Sequence, residues 1–168
     1  MVLDELAARA GIRLSAGKGA RSRALAGECR LAGRRVVLAR PLTYMNESGG
    51  PVRGLLDYHR LPVENLVVLH DELDLPFTTV RLKRGGGEGG HNGLRSVSRS
   101  TGAKEYLRVR VGIGRPPGRQ DPADYVLRDF SAVERKELDL LLVEAADAVE
   151  SLLARGLEAA QNEVHPRS

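Results

Sequence analysis

Four short polar segments of this 168-residue chain hold side chains that could take part in chemistry. Residues 70–76, His-Asp-Glu-Leu-Asp-Leu-Pro, set a histidine beside three carboxylates. Such a group could bind a metal ion, or the carboxylate of Asp71 could orient a catalytic imidazole. A solvated loop without a chemical role is the alternative interpretation.

A glycine-rich segment, residues 85–93, has the sequence Gly-Gly-Gly-Glu-Gly-Gly-His-Asn-Gly. Glycine lets the backbone approach a ligand closely and turn its N–H groups toward it. His91 and Asn92 stand at a predicted helix start, where an imidazole and an amide can meet a polar substrate. The segment has neither the Gly-Lys-Ser/Thr of a phosphate-binding P-loop nor the dinucleotide-binding fingerprint. By itself it also fits a flexible loop.

The third segment, residues 41–49, is Pro-Leu-Thr-Tyr-Met-Asn-Glu-Ser-Gly. Asn46 lies just before a predicted helix. An asparagine in that place most often caps the helix, which contributes about 1 kcal/mol to stability. Contact with a substrate is the other interpretation.

The fourth feature is a pair of cations, Lys83 and Arg110, with three more arginines nearby at positions 81, 84 and 108. A lysine point charge and a planar arginine fork could together clamp one phosphate. An ordinary strand face exposed to solvent is the alternative.

The charge distribution is consistent with a phosphate-rich partner. Residues 1–120 have an excess of ten positive charges and residues 121–168 an excess of six negative ones, so the net charge is +4. A local excess of this kind favours a polyanion such as nucleic acid. A coding bias toward arginine could produce the same imbalance.

Predicted helices and strands position these segments. Continuous apolar residues at 66–69 predict a strand buried on both faces of a sheet, directly before residues 70–76. Alternation at 106–113 predicts a strand whose polar face carries Arg108 and Arg110. The other predicted elements are helices at 2–10, 52–59, around 94–97 and at 132–153, and strands at 23–29, 36–39 and 80–83. Their order favours an α/β fold, a three-layer sandwich with a mixed, mostly parallel twisted sheet flanked by helices.

Length and composition indicate one soluble domain over residues 1–168, with 157–168 either a last helical segment or a loose C-terminal tail. The chain is 42% apolar and 29% charged. Its single cysteine, Cys29, cannot form an internal disulfide. No apolar run is long enough to span a bilayer, and we expect a cytoplasmic protein without a membrane partner.

Together the segments resemble one family, the bacterial-type peptidyl-tRNA hydrolases. The resemblance rests on residues 41–49, 70–76, 83–94 and 108–116, which occur in the family's order and spacing. It extends from residue 1 to about residue 163. It implies a monomeric α/β hydrolase that cleaves the ester between a peptide and the terminal ribose of tRNA. Peptidyl-tRNA would be its partner, and neither a metal nor an organic cofactor would be needed.

The resemblance also implies roles for individual residues. Asp71 would hold the catalytic imidazole in its tautomer and stabilise it once protonated. Asn92 would steady the attacking water or the oxyanion. Lys83 and Arg110 would grip a phosphate of the tRNA. The residues that contact the substrate would be Tyr44, Met45, Asn46, His91 and Asn92.

One part of the family pattern is absent. The family begins with a strand ending in Gly-Leu-Gly-Asn-Pro-Gly, then Arg-His-Asn-x-Gly, whose histidine is the catalytic base, and these 168 residues contain neither motif. We therefore expect a chain truncated at its N-terminus, most simply by a start codon assigned too late, and nearly inactive as it stands. His91 is the one substitute base that the motifs place with the substrate. The alternative functions are a catalytically inactive tRNA-binding protein and a metal-dependent hydrolase using His70, Asp71, Asp74 and His91.

Overall fold

The computed structural model describes residues 2–16, 23–43, 47–114 and 132–165. Its helices are α1 (Val2–Ala10), α2 (Gly49–Tyr58), α3 (Asn92–Thr101), α4 (Ala132–Arg155) and α5 (Leu157–Val164), with a 3₁₀ turn at Val63–Asn65. Its strands are β1 (Ser15–Ala16), β2 (Ala24–Leu31), β3 (Arg34–Pro41), β4 (Val67–Glu72), β5 (Val80–Arg84) and β6 (Leu107–Gly112). Every predicted helix and strand has a counterpart here, with ends shifted by a few residues, and the predicted α/β class is confirmed. None of the helices in these ranges has the length and apolar character needed to cross a bilayer.

The described residues divide into two compact units. One takes residues from Met1–Glu5, Val68–Lys83 and Arg108–Ser168, and the other from Leu6–Val67 and Arg84–Leu107. The six described strands likewise form two three-stranded sheets, in the orders β1-β2-β3 and β4-β6-β5. This arrangement differs from the one predicted sheet, because a hairpin of sequential strands forms the first sheet on its own.

The first sheet is antiparallel throughout. Strands β2 and β3 pair over their whole length, and a two-residue turn at Ala32 and Gly33 joins them. Both turn residues have positive φ, 51° and 76°. Two positive φ angles are typical of a type I′ turn, whose twist matches that of the flanking strands and which therefore keeps them in register. The strands predicted at 23–29 and 36–39 thus form one hairpin.

Helices α2 and α3 pack closely in the same unit. The backbone N–H of Gly49 donates to the buried Oγ of Ser96 at 2.8 Å. A β-carbon at position 49 would collide with the backbone oxygen of Ser96 and with the Oγ of Ser100. Only glycine therefore allows the start of α2 to lie against α3.

The second sheet is mixed. Hydrogen bonds from Leu107 to Leu66 and from Ile113 to Glu72 advance in the same direction along β6 and β4, so these two strands are parallel. Bonds from Gly85 to Tyr106 and from Gly112 to Thr79 advance in opposite directions, so β5 and β6 are antiparallel. Antiparallel pairs thus outnumber parallel ones among the described strands.

The predicted burial of β4 on both faces is wrong. Val67, Val68 and Leu69 are only half-buried, and His70 is the strand's buried residue. A strand is buried on both faces only where another layer packs on each face, and a continuous apolar run does not by itself supply those layers.

Helices α4 and α5 pack against each other through a turn at Gly156, whose φ is 83°. The carboxylate of Glu163 accepts hydrogen bonds from Ser151 and from Arg155 of α4, each at 2.9 Å. Residues 157–165, for which a loose tail was one expectation, are thus a docked helix and its last turn. Residues 166–168 lie outside the described ranges.

Candidate active site

The end of β4 carries the acidic segment. His70 is only 8% exposed, and its Nδ1 lies 2.8 Å from the backbone oxygen of Asp71. A carbonyl oxygen can only accept, so Nδ1 carries the hydrogen of this bond. His70 is therefore a packed residue of the scaffold. Because side chains alternate along a strand, the half-buried Asp71 faces away from the side shared by His70 and Glu72.

Glu72 pairs with Arg110 on the neighbouring strand β6. The Nε and Nη2 atoms of Arg110 both lie 3.0 Å from the Oε1 atom of Glu72. The two side chains are 24% and 18% exposed, so the pair is largely shielded but still reachable from solvent. One carboxylate oxygen thus orients the whole guanidinium plane.

Lys83 of β5 lies in the same electrostatic neighbourhood. Burial, followed by the positive charges of Arg110 and Arg108, lowers the pKa of Lys83, and Glu72 opposes that shift. Arg108 itself is fully buried. The structure therefore brings Lys83, Arg110 and Arg108, all named from the sequence, into one group and adds Glu72. We name this group the cation cluster.

The glycine-rich segment has the backbone geometry that its sequence indicates. Gly85, Gly86, Gly89 and Gly90 have φ angles between 59° and 96°, a region that costs other residues about 1–2 kcal/mol each. Glu88 lies within 3.6 Å of Lys104, which follows α3. The segment thus has a defined path that ends at the first turn of α3.

His91 caps α3. Its Nδ1 accepts the backbone N–H of Leu94 at 3.1 Å, so the ring nitrogen that faces the helix carries no hydrogen. In the neutral ring the hydrogen is then on Nε2, which cannot accept a proton while Nδ1 keeps the cap. This arrangement disfavours His91 as a substitute base.

Asn92 is the first residue of α3, and it is exposed. Since His91 provides the cap, the amide of Asn92 is not needed to satisfy the helix end. It stands beside the N–H groups of the first helical turn, where the helix dipole favours negative charge. The role of Asn92 at a developing oxyanion stays a prediction.

The segment that contains Tyr44, Met45 and Asn46 lies outside the described residues. The helix that follows it begins without a side-chain cap from Ser48. Its first residue, Gly49, bonds to Ser96, which is one helical turn beyond Asn92. The start of α2 is therefore held on the helix that Asn92 begins.

Sequence reasoning missed one member of the cation cluster. Glu72 was considered only as a possible metal ligand, because its pairing with Arg110 depends on β4 lying beside β6. Within the described ranges, no group of three or more His, Cys, Asp or Glu side chains is close enough to hold a metal ion. The metal-dependent alternative therefore gains no support there.

Comparison with known proteins gives consistent results. The family described as peptidyl-tRNA hydrolase matches residues 1–168. A peptidyl-tRNA hydrolase of Frankia casuarinae is 63% identical over 165 residues, which cover 98% of this chain and 82% of that protein. A second, from Pseudarthrobacter chlorophenolicus, is 59% identical over 166 residues, covering 99% and 84%. The crystal structure of peptidyl-tRNA hydrolase from Acinetobacter baumannii is similar with a TM-score of 0.87 at 32% identity, covering 97% of this chain and 82% of that one.

Proposed function

This chain belongs to the peptidyl-tRNA hydrolase family, and from that premise we propose that it hydrolyses the ester between the peptide and the tRNA of peptidyl-tRNA. The reaction frees tRNA from peptides that leave translation early. The observation that carries the proposal is the family match over all 168 residues. Two structural features have suitable chemistry: the exposed amide at the start of α3 and the cation cluster.

The ester is cleaved when a water molecule attacks its carbonyl carbon and negative charge develops on the carbonyl oxygen. Asn92 donates a hydrogen bond to that oxygen or holds the water. The first N–H groups of α3 add a favourable potential at the same point. Donors that are already in place contribute more in the transition state than in the ground state, and so they raise kcat.

The attacking water also needs a base. Asp71 orients an imidazole and stabilises it once it is protonated. The histidine that the family resemblance implies for this role belongs to a motif that these 168 residues do not contain. His91 is a poor substitute, because its acceptor nitrogen caps α3.

The cation cluster binds tRNA. Lys83 supplies a point charge and Arg110 a fork, and both carry exposed surface that a phosphate can reach. Glu72 keeps Arg110 in place before the tRNA arrives. A phosphate contact distant from the ester lowers KM and leaves kcat nearly unchanged.

The remaining contacts are those implied by the family. By the family resemblance, Tyr44, Met45, Asn46 and His91 contact the peptide and the ester. The family match over 1–168 supports the assignment of one domain to these residues. The protein acts in the cytoplasm as a monomer.

The test measures release of N-acetylamino acid from N-acetylaminoacyl-tRNA. The assay uses the natural protein, which is the chain as it is translated in its own cell. If the natural protein is longer than 168 residues, the 168 residues are assayed separately. We expect turnover by the natural protein, near-background turnover by the 168 residues, and a loss of at least about 100-fold in the natural protein carrying Asp71→Asn. Turnover should be insensitive to chelators.

Three results would contradict parts of this proposal. Tight tRNA binding without turnover by the natural protein would favour the inactive alternative, which the comparisons do not support. Loss of turnover with a chelator would favour the metal-dependent alternative. Full turnover by the 168 residues that disappears with His91→Ala would identify His91 as the base.

A further inference from the structure

Side chains of the C-terminal segment, residues 157–165, contact the edge of β5 that faces away from β6. Among the described strands, β5 stands at the end of its sheet, opposite β4. The N–H and C=O groups of Leu82 point together to the side away from β6. The Leu82 N–H donates to the Nε2 of His165 at 3.0 Å. The Leu82 carbonyl accepts from the Nε2 of Gln161 at 2.9 Å. Both backbone groups of one edge residue are thus satisfied by the C-terminal segment.

Gln161 and His165 are four residues apart and therefore lie on one side of this segment, one turn from each other. Their two bonds reproduce what a neighbouring strand would provide at this point of the edge. Over the same stretch, Glu163 bonds to Ser151 of α4. The segment accordingly has two separate attachments, one to α4 and one to β5.

The attachment to β5 acts on the peptide groups that flank Leu82. A peptide group is planar. A bond to the Leu82 N–H therefore fixes the plane shared with Arg81, and a bond to the Leu82 carbonyl fixes the plane shared with Lys83. The side chain of Leu82 is itself buried, so Arg81 and Lys83 project from the opposite face of the strand.

His165 must be neutral to accept this bond. Burial, followed by the charge of Arg81, lowers the pKa of His165, and Arg110 lowers it further. The neutral imidazole is thereby favoured, with its hydrogen on Nδ1 and its acceptor Nε2 toward Leu82. The same cations that surround the proposed phosphate contact keep the anchor in its accepting form.

We propose that Gln161 and His165 are positioning residues for tRNA binding, which act through the backbone of Leu82 to hold Lys83 in the orientation that meets a phosphate. The inference rests on the proposed function, in which Lys83 contacts tRNA. It gives the C-terminal helix a role in substrate affinity in addition to its role in the fold. The matched control is Ser151→Ala, which removes one of the two hydrogen bonds that attach Glu163 to α4 and leaves the bonds to Leu82 in place.

The variants are made in the protein as it is translated in its own cell, and the experiment measures KM and kcat on N-acetylaminoacyl-tRNA, the Kd of uncharged tRNA, and the Tm of each. We expect Gln161→Ala and His165→Ala to raise KM and Kd about three- to tenfold with kcat within about twofold. His165→Gln offers an amide oxygen to the Leu82 N–H and should restore most of the affinity. Ser151→Ala should lower Tm and leave KM unchanged.

A double-mutant comparison separates this inference from the proposed function. If His165 acts through Lys83, then adding His165→Ala to Lys83→Ala should raise KM little beyond Lys83→Ala alone. An unchanged KM in both anchor variants, with Lys83→Ala impaired, would overturn the positioning role only. An equal rise in Ser151→Ala would show a general effect of helix docking and would also overturn it. An unchanged KM in Lys83→Ala would instead reject the phosphate contact itself.

Discussion

Neutralising Glu72 should tighten tRNA binding while it weakens the fold. Glu72 accepts two hydrogen bonds from Arg110 on a single oxygen. In Glu72→Gln an amide oxygen can take the place of that atom, so the guanidinium keeps an acceptor and its orientation. What disappears is one negative charge beside the surface that a phosphate has to approach.

The size of the effect follows from Coulomb's law. A carboxylate and a phosphate held on two sides of one guanidinium are about 6 Å apart, and with an effective dielectric constant of about 40 their repulsion is about 1.4 kcal/mol. Relief of that repulsion corresponds to about a tenfold fall in KM, and some loss of order in Arg110 reduces it to about three- to tenfold. Loss of the charge on a pair that is 24% and 18% exposed should lower the free energy of unfolding by about 1 kcal/mol.

The assay compares KM, kcat and the salt dependence of KM for the wild-type protein and for Glu72→Gln. Glu64→Gln is the matched control, because it removes one negative charge from an exposed residue of the 3₁₀ turn. We expect kcat to stay within about twofold in both, and KM to fall only in Glu72→Gln. For reference, Lys83→Ala should raise KM about tenfold and reduce the salt slope by about 0.7–0.9. If folded Glu72→Gln has an unchanged or higher KM, the phosphate does not approach Arg110 beside Glu72, and the reasoning is refuted.

Three further predictions concern other parts of the chain. Asn92→Ala should lower kcat about 100-fold and cost less than about 0.5 kcal/mol of stability, because His91 already caps α3; a large fall in Tm with kcat retained per folded molecule would contradict this. Ala32→Asn should raise the free energy of unfolding by about 0.5–1 kcal/mol in a urea titration, since asparagine tolerates the positive φ of the turn better than alanine does; an unchanged urea midpoint would show that the turn stores no such strain. The pKa of His165 is lowered from its ordinary value of 6.5, so the unfolded chain takes up the proton first and stability is lost as pH falls through about 6.5. Thermal unfolding from pH 7.5 to 5.5 should show a smaller loss for His165→Gln than for wild type, and parallel curves would exclude His165 as the source.

Much of the local structure is determined by the sequence alone. The spacing of apolar residues predicts nearly every helix and strand, because an element that is buried on one side repeats its apolar residues with the period of that element. The glycines of residues 85–90 indicate a backbone with positive φ, which the described loop has. The family resemblance also follows from the order of four motifs and needs no coordinates. The proximity of Lys83 and Arg110 could also be predicted from the sequence, since both belong to motifs whose strands are predicted.

Tertiary structure decides which distant groups meet. Glu72 and Arg110 are 38 positions apart, and they pair because β4 lies beside β6, an order that no local pattern specifies. Leu82 and His165 are 83 positions apart, and their bond depends on where the C-terminal segment docks. Periodicity predicts which side of an element is buried, but the packing of the whole chain determines which residues contact that side. At the cation cluster, those contacts determine the charge near a bound phosphate.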